Sequence, residues 1–159
     1  MRARLSTTLL AGSGLAVALL LGASVAEAVN EPENVTKYRQ ATMRAIGGHM
    51  AALATVVRGE VDFADEVALH AQAINDMSRN LLRLFPEGSG RGAVETRALP
   101  DIWQQWHDFE PIAVGLQELS ADLAEAAQAD DMDAVRQRFA VLGRDGCTAC
   151  HERFRADAS

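Results

Sequence analysis

The sequence predicts an all-α fold: an antiparallel up-down-up-down four-helix bundle with a long loop between the second and third helices. Three observations carry that expectation. Ala, Leu, Glu, Gln and Arg dominate residues 29–159, and no stretch alternates apolar and polar residues long enough to make a strand. Four segments repeat apolar residues every three or four positions, so each has one face that must be covered. The turns near Gly59-Glu60 and Ala129-Asp130 are short and force antiparallel neighbours, whereas the connection from Phe85 to Leu99 is long.

The first helix is expected to open at Asn30-Glu31-Pro32, a capping residue followed by a proline whose missing N–H costs nothing in a first turn. Its apolar stripe is Val35, Tyr38, Thr42 with Met43, Ile46, Met50, Leu53 and Val57, and Arg58-Gly59 ends it. Gly47-Gly48 should cost about 1 kcal/mol each against alanine, so a close approach by a neighbouring helix or a cofactor is expected there. The second helix is predicted from about Asp62 to Leu84, with Phe63, Val67, Ala71, Ile74, Met77 or Ser78, and Leu81 or Leu82 facing inward. Phe85-Pro86-Glu87-Gly88 stops it.

The third helix starts at Pro100-Asp101 and carries Ile102, Trp103, Trp106, Phe109, Ala113, Leu116, Leu119 and Leu123. Pro111 lies inside it, where the ring should clash with the His107 carbonyl and bend or divide the helix. The fourth begins near Asp130-Asp131 with Met132, Val135, Phe139 and Leu142. Gly143 and Gly146 loosen it, and helix resumes from Cys147 to Arg155. A structureless connection as long as residues 85–99 is usually functional or covers something.

A chain of 159 residues favours one domain, and 48% hydrophobic residues exclude a disordered one. The excess of 22 Asp+Glu over 15 Lys+Arg argues against nucleic acid, whose phosphates need a positive surface. Two cysteines are too few for a disulfide scaffold. Residues 1–28 read as a cleaved secretory signal peptide. They comprise a basic Met1-Arg2-Ala3-Arg4, an uncharged apolar run from Leu5 to Ala23 and an Ala26-Glu27-Ala28 cleavage site. The expected mature chain, 29–159, is exported to the periplasm, soluble and without a membrane anchor. Loss of Arg2, Arg4 and Glu27 moves its net charge from −7 to −8.

Cys147-Thr148-Ala149-Cys150-His151 is a C-x-x-C-H sequence, the attachment signature of a c-type haem. The two thiols add across the two haem vinyl groups to form thioethers, and their spacing on one helical turn matches the vinyl separation. His151, four residues after Cys147, projects from the same helical face and supplies an axial iron ligand. Other uses fit less well. A redox C-x-x-C needs a strand–helix setting, which is not visible here. Zinc would need further ligands, and His49, His70 and His107 lack close-set metal-ligand spacing. A disulfide across two residues is strained and closes almost no loop. One covalently attached haem c is the expected cofactor.

With that motif near the C-terminus, the chain resembles the class II cytochromes c. This group contains cytochrome c prime, itself a known up-down-up-down bundle, and its low-spin, methionine-ligated relatives. The resemblance spans nearly all of the mature chain. It rests on Tyr38-Arg39-Gln40-x-x-Met43, Phe85-Pro86, Asp101-Ile102-Trp103 and Cys147-x-x-Cys150-His151-x-x-Phe154-Arg155. It implies that Met43 sits over the distal haem face and that Arg39 lies near a haem propionate. It also implies that Phe85 lines the distal pocket and that Arg155 flanks the proximal side.

The resemblance leads to two functions. In the favoured one the Met43 thioether is the sixth iron ligand, and the protein is a low-spin electron carrier whose potential is raised by His/Met ligation. In the alternative Met43 only crowds the distal face, and a high-spin, five-coordinate iron binds nitric oxide or carbon monoxide. No distal histidine–arginine pair is evident on the first helix, so an enzyme is not expected. On the residues alone, Met43 also reads as core filler and Arg39 as a solvated charge. His49, His70 and His107 read as surface or half-buried histidines, and Trp103, Trp106 and Phe109 as core packing. The acidic composition leads us to expect a redox partner protein with a basic patch. A homodimer is a further expectation, because the family often pairs through its first two helices.

Overall fold

The computed structural model describes residues 30–92 and 94–157, and the expected signal peptide lies outside the described residues. In chain order the α-helices are α1 (Pro32–Val57), α2 (Val67–Ser78), α3 (Asp101–Gln104), α4 (Trp106–Gln128), α5 (Met132–Val141) and α6 (Ala149–Phe154). They make four rods, because α3 leads into α4 and a π turn over Leu142–Thr148 joins α5 to α6. Short 3-10 turns, Ala64–Glu66 and Leu81–Leu84, flank α2.

The contacts between rods give their directions. Arg39 of α1 reaches Leu84, while His49 further along meets His70. Gln72 of α2 meets Gln128, while Asn75 meets Ser120. Asp122 of α4 pairs with Arg138, while Leu116 lies against Gly146. Neighbouring rods are therefore antiparallel, as expected for an up-down-up-down bundle, and no strand occurs among the described residues.

One end of the bundle is closed by two tight turns. After α1, the Gly59 N–H donates to Val56 O and the Glu60 N–H to Thr55 O, with Gly59 at φ 72°. This is a Schellman motif, in which glycine takes the left-handed position without strain. After α4 the same pair of bonds recurs, Asp130 N–H to Ala127 O and Asp131 N–H to Ala126 O, with Asp130 at φ 54°. Asp131 then caps α5 by accepting from the Ala134 N–H at 2.9 Å. Beneath these turns Leu53, Val67, Ala71, Leu123 and Val135 are excluded from solvent.

Several expectations are corrected. The second helix is shorter than Asp62–Leu84, because Phe63 and Asn80 leave helical geometry (φ −120° and −124°). Phe63 is 58% exposed rather than on the buried stripe, since it precedes the first helical turn and helical periodicity does not govern it. Tyr38 is also exposed, and the inward face of α1 instead carries Thr36, Arg39, Ile46 and Leu53. Polar carbonyls of the long loop, rather than apolar side chains, meet the start of α1.

No close approach occurs at Gly47-Gly48, where an added Cβ would meet nothing within 4 Å. The third helix is divided, but at Gln105 (φ −120°, ψ 43°) rather than at Pro111. His107, whose carbonyl the proline ring crowds, thereby falls in the first turn of a new helix.

Candidate functional site

The open end of the bundle is built around the long loop. Arg39 on α1 is buried and donates from Nη1 to Leu84 O (2.8 Å) and Ser89 Oγ (2.8 Å). Its Nη2 donates to Ser89 O (2.7 Å) and Thr96 Oγ1 (3.3 Å). The next residue, Gln40, donates from Nε2 to Glu95 O at 2.6 Å, and Trp103 Nε1 donates to Phe85 O and Pro86 O. A Cβ on Gly90 would lie 3.1 Å from the Trp103 ring, so glycine lets the loop cross that indole closely.

The end of the loop is stitched to the chain just past His151. The Leu99 N–H donates to Phe154 O, the Ala156 N–H to Arg97 O, and Arg97 Nε to Ala156 O at 2.7 Å. These bonds frame an antiparallel bridge between Ala98 and Arg155. The loop does cover something: it forms one wall of a cavity of about 600 Å³.

The interior of that cavity is apolar. Met43, Phe85, Ile102, Phe109 and Phe154 line it. Phe109 is the hub, with no exposed surface and with Phe85, Trp106 and Phe154 rings at 4.8, 5.4 and 5.4 Å between centroids. Cys150 and His151 enter from α6.

Burial, aided by the charges of Arg155 and Arg97, lowers the His151 pKa below its ordinary value. The imidazole is therefore neutral at pH 7, the form that ligates metals. Burial pushes the Cys150 thiol up to about 11, with Cys147 adding to the rise and Arg155 opposing it. Cys147 is raised as well, again by burial.

The charge of the lining is one-sided. Arg39, Arg44, Arg91, Arg97 and Arg155 face only Glu95 and Asp157 there. Lys37, Arg58, Arg79, Arg136, Arg138, Arg144 and Arg153 each hold a carboxylate at 2.6–3.6 Å. Among the described residues, none of the five cavity arginines holds one. Burial pulls the Arg39 guanidinium down to about 10, which still leaves it charged at neutral pH. It lies over the Phe85 ring, 4.8 Å from the centroid.

The structure thus gathers Arg39, Met43, Phe85, Cys150, His151 and Arg155 around one cavity. Cys147 is the exception. It lies in the π turn, half-buried against the core, and is not part of the cavity lining. The four-residue spacing that aligns Cys147 with His151 in an unbroken α-helix runs through that turn, which changes the phase between them. His49, His70 and His107 are not in the lining either. His49 and His70 bond each other (Nδ1···Nδ1 2.8 Å), and His107 is exposed beside Asp108.

Sequence reasoning missed Arg44, Arg91 and Arg97, and it assigned Phe109 to plain core packing. Phe154 was visible only as part of the C-terminal motif. An apolar interior, a neutral imidazole, two thiols close by and unneutralised arginines at the mouth suit a flat apolar ring bearing two carboxylates, which is haem.

Comparison with known proteins agrees. The family model described as "Cytochrome C'" matches residues 34–155. Cytochrome c' of Pararhodospirillum photometricum is 36% identical over 124 residues, which is 78% of this chain and 98% of that protein. Cytochrome c-556 of Agrobacterium fabrum is 35% identical over 144 residues, covering 89% and 93%. Among solved structures, the nitric oxide complex of a cytochrome c prime variant from Alcaligenes xylosoxidans superposes with a TM-score of 0.72 at 27% identity, over 80% of this chain and 98% of that one. The chain belongs to the cytochrome c prime family, whose proteins carry a covalently attached haem c.

Proposed function

We propose that this protein is an exported haem protein in which His151 would be the one side chain that ligates the iron, leaving the iron able to take up nitric oxide or carbon monoxide. Cys147 and Cys150 carry the thioethers. The haem supplies the iron that binds the gas or exchanges an electron. The chain supplies the rest. Phe85, Ile102 and Phe109 keep water away, burial aided by Arg155 and Arg97 keeps His151 neutral, and Arg39 locks the loop that closes the wall. Export through residues 1–28 predicts a mature N-terminus at Val29, which N-terminal sequencing reads directly.

The observation that carries this reading is the poverty of iron ligands in the cavity. Beyond His151 and the thioether-forming cysteine, the apolar interior of the described lining offers only the Met43 sulfur, a soft and weak donor, while the carboxylates of Glu95 and Asp157 are exposed to solvent. The nitric oxide complex of a family member supports the same choice. This reverses the preference drawn from sequence, which made Met43 a ligand. Met43 does line the cavity, so ligation by it is the competing outcome of the test.

The test is an absorption spectrum of the holoprotein, oxidised and reduced, with and without carbon monoxide. An open site gives a high-spin spectrum and binds carbon monoxide, and Met43→Ala changes the binding rate but not the spin state. A low-spin spectrum that excludes carbon monoxide until Met43 is replaced assigns the ligand to Met43 and overturns the open site.

A further inference from the structure

We infer that the mouth of the cavity is a docking surface for the acidic face of a protein that exchanges electrons with this one. The inference rests on the haem reading of the cavity and is independent of how many ligands the iron has.

Arg44 of α1, Arg91 and Arg97 of the loop, and Arg155 beyond α6 all line the cavity and are all exposed. They come from three separate segments, so the fold gathers them where their sequence spacing does not. Seven of the eight described lysines and arginines outside the cavity, all but Arg83, lie beside a carboxylate and largely cancel locally, whereas these do not. Among the described lining residues, Glu95 and Asp157 are the carboxylates that oppose them. The two propionates of a haem would offset two positive charges, and buried Arg39 beneath adds one, so the rim stays positive in the loaded protein.

The net charge of −7 describes the whole body and favours a basic partner surface. At the mouth the local sign is opposite. Unpaired charges dominate the potential within a Debye length, about 10 Å at 0.1 M salt, and contact between docked partners is made inside that range. A positive rim on a negative body also orients an approaching acidic protein mouth-first. None of the exposed large apolar side chains (Tyr38, Phe63, Leu69, Val114) lines the cavity, so this face suits a charged protein surface rather than insertion into lipid.

The test uses the ferrous holoprotein and two one-electron oxidants of opposite charge. One electron leaves the haem iron and reduces anionic ferricyanide to ferrocyanide, or cationic tris(phenanthroline)cobalt(III) to its cobalt(II) form, without proton transfer. As salt rises from about 0.01 to 0.5 M, the ferricyanide rate should fall severalfold and the cobalt rate should rise. In R44E/R91E, with rates compared per covalently attached haem, both slopes should reverse. Poly-L-glutamate should slow the ferricyanide reaction of the native protein and not that of the variant.

A ferricyanide rate that rises with salt would show that net charge governs, and would overturn the inference. Salt slopes unchanged in R44E/R91E, or no competition by poly-L-glutamate, would do the same. A colourless protein is a failure of the haem reading itself, seen in the spectrum before any mixing.

Discussion

Leu123 and Phe109 lie on the same helix and are equally hidden from solvent, yet they are buried against different things. Leu123 sits at the closed end, beneath two short Schellman turns, where apolar side chains fill the space between rods. Phe109 sits at the open end, between other aromatic rings and a cavity of about 600 Å³. One end is finished by the polypeptide alone. The other is completed by a cofactor, and its loop is held by hydrogen bonds along its length, with apolar packing at Phe85 and Ala98.

The sharpest break of that comparison removes the cofactor. In C147A/C150A, amide hydrogen exchange at the open end (residues 81–109 and 142–155) should be about a hundredfold faster than in the holoprotein, with protection largely kept around Leu53 and Leu123. Uniform loss of protection would mean that the two ends are a single cooperative unit.

A second contrast compares truncations. Leu123→Ala should cost about 3 kcal/mol with or without haem, while Phe109→Ala, which loses its three ring neighbours in either state, should cost more in the holoprotein, where the cavity side of the ring is filled as well. Denaturant titrations of both variants in both states decide this. Arg39→Met comes next. It strips the guanidinium donor from Leu84 O and leaves Ser89 O with Thr36 alone, costs about 2 kcal/mol, and should expose residues 85–99 to proteolysis while leaving the closed end intact. The smallest change is at the closed end. Asp130→Gly relieves a non-glycine residue at φ 54° and should raise stability by about 1 kcal/mol, read as a higher Tm.

The closed end was legible in the sequence almost residue by residue. Leu53, Ala71, Ile74 and Leu123 fall on the stripes that periodicity picks out, and Gly59 marks a helix end by its chemistry. The open end was legible only through Cys150-His151 and the resemblance attached to it. Periodicity tells which face is apolar, not which polar groups will meet. Arg39 is buried because carbonyls at Leu84 and Ser89, 45 and 50 residues away, converge on it. The same limit hid the rim, since Arg44, Arg91, Arg97 and Arg155 become neighbours only after the loop is fastened to α1 and to the tail. It also explains Tyr38, which fitted the stripe of a helix whose inward face is turned toward Thr36 and Arg39.

The widened turn over Leu142–Thr148 sets the heading of everything after it. Gly146 makes room for it, because a Cβ there would stand 2.7 Å from Leu116 Cδ1. A branched side chain at Gly146, valine for instance, would collide with Leu116 and Leu142, push the turn away from α4 and carry Cys150 and His151 off the cavity. A one-codon substitution outside the five-residue signature would then leave every signature residue present and the protein unable to aim them.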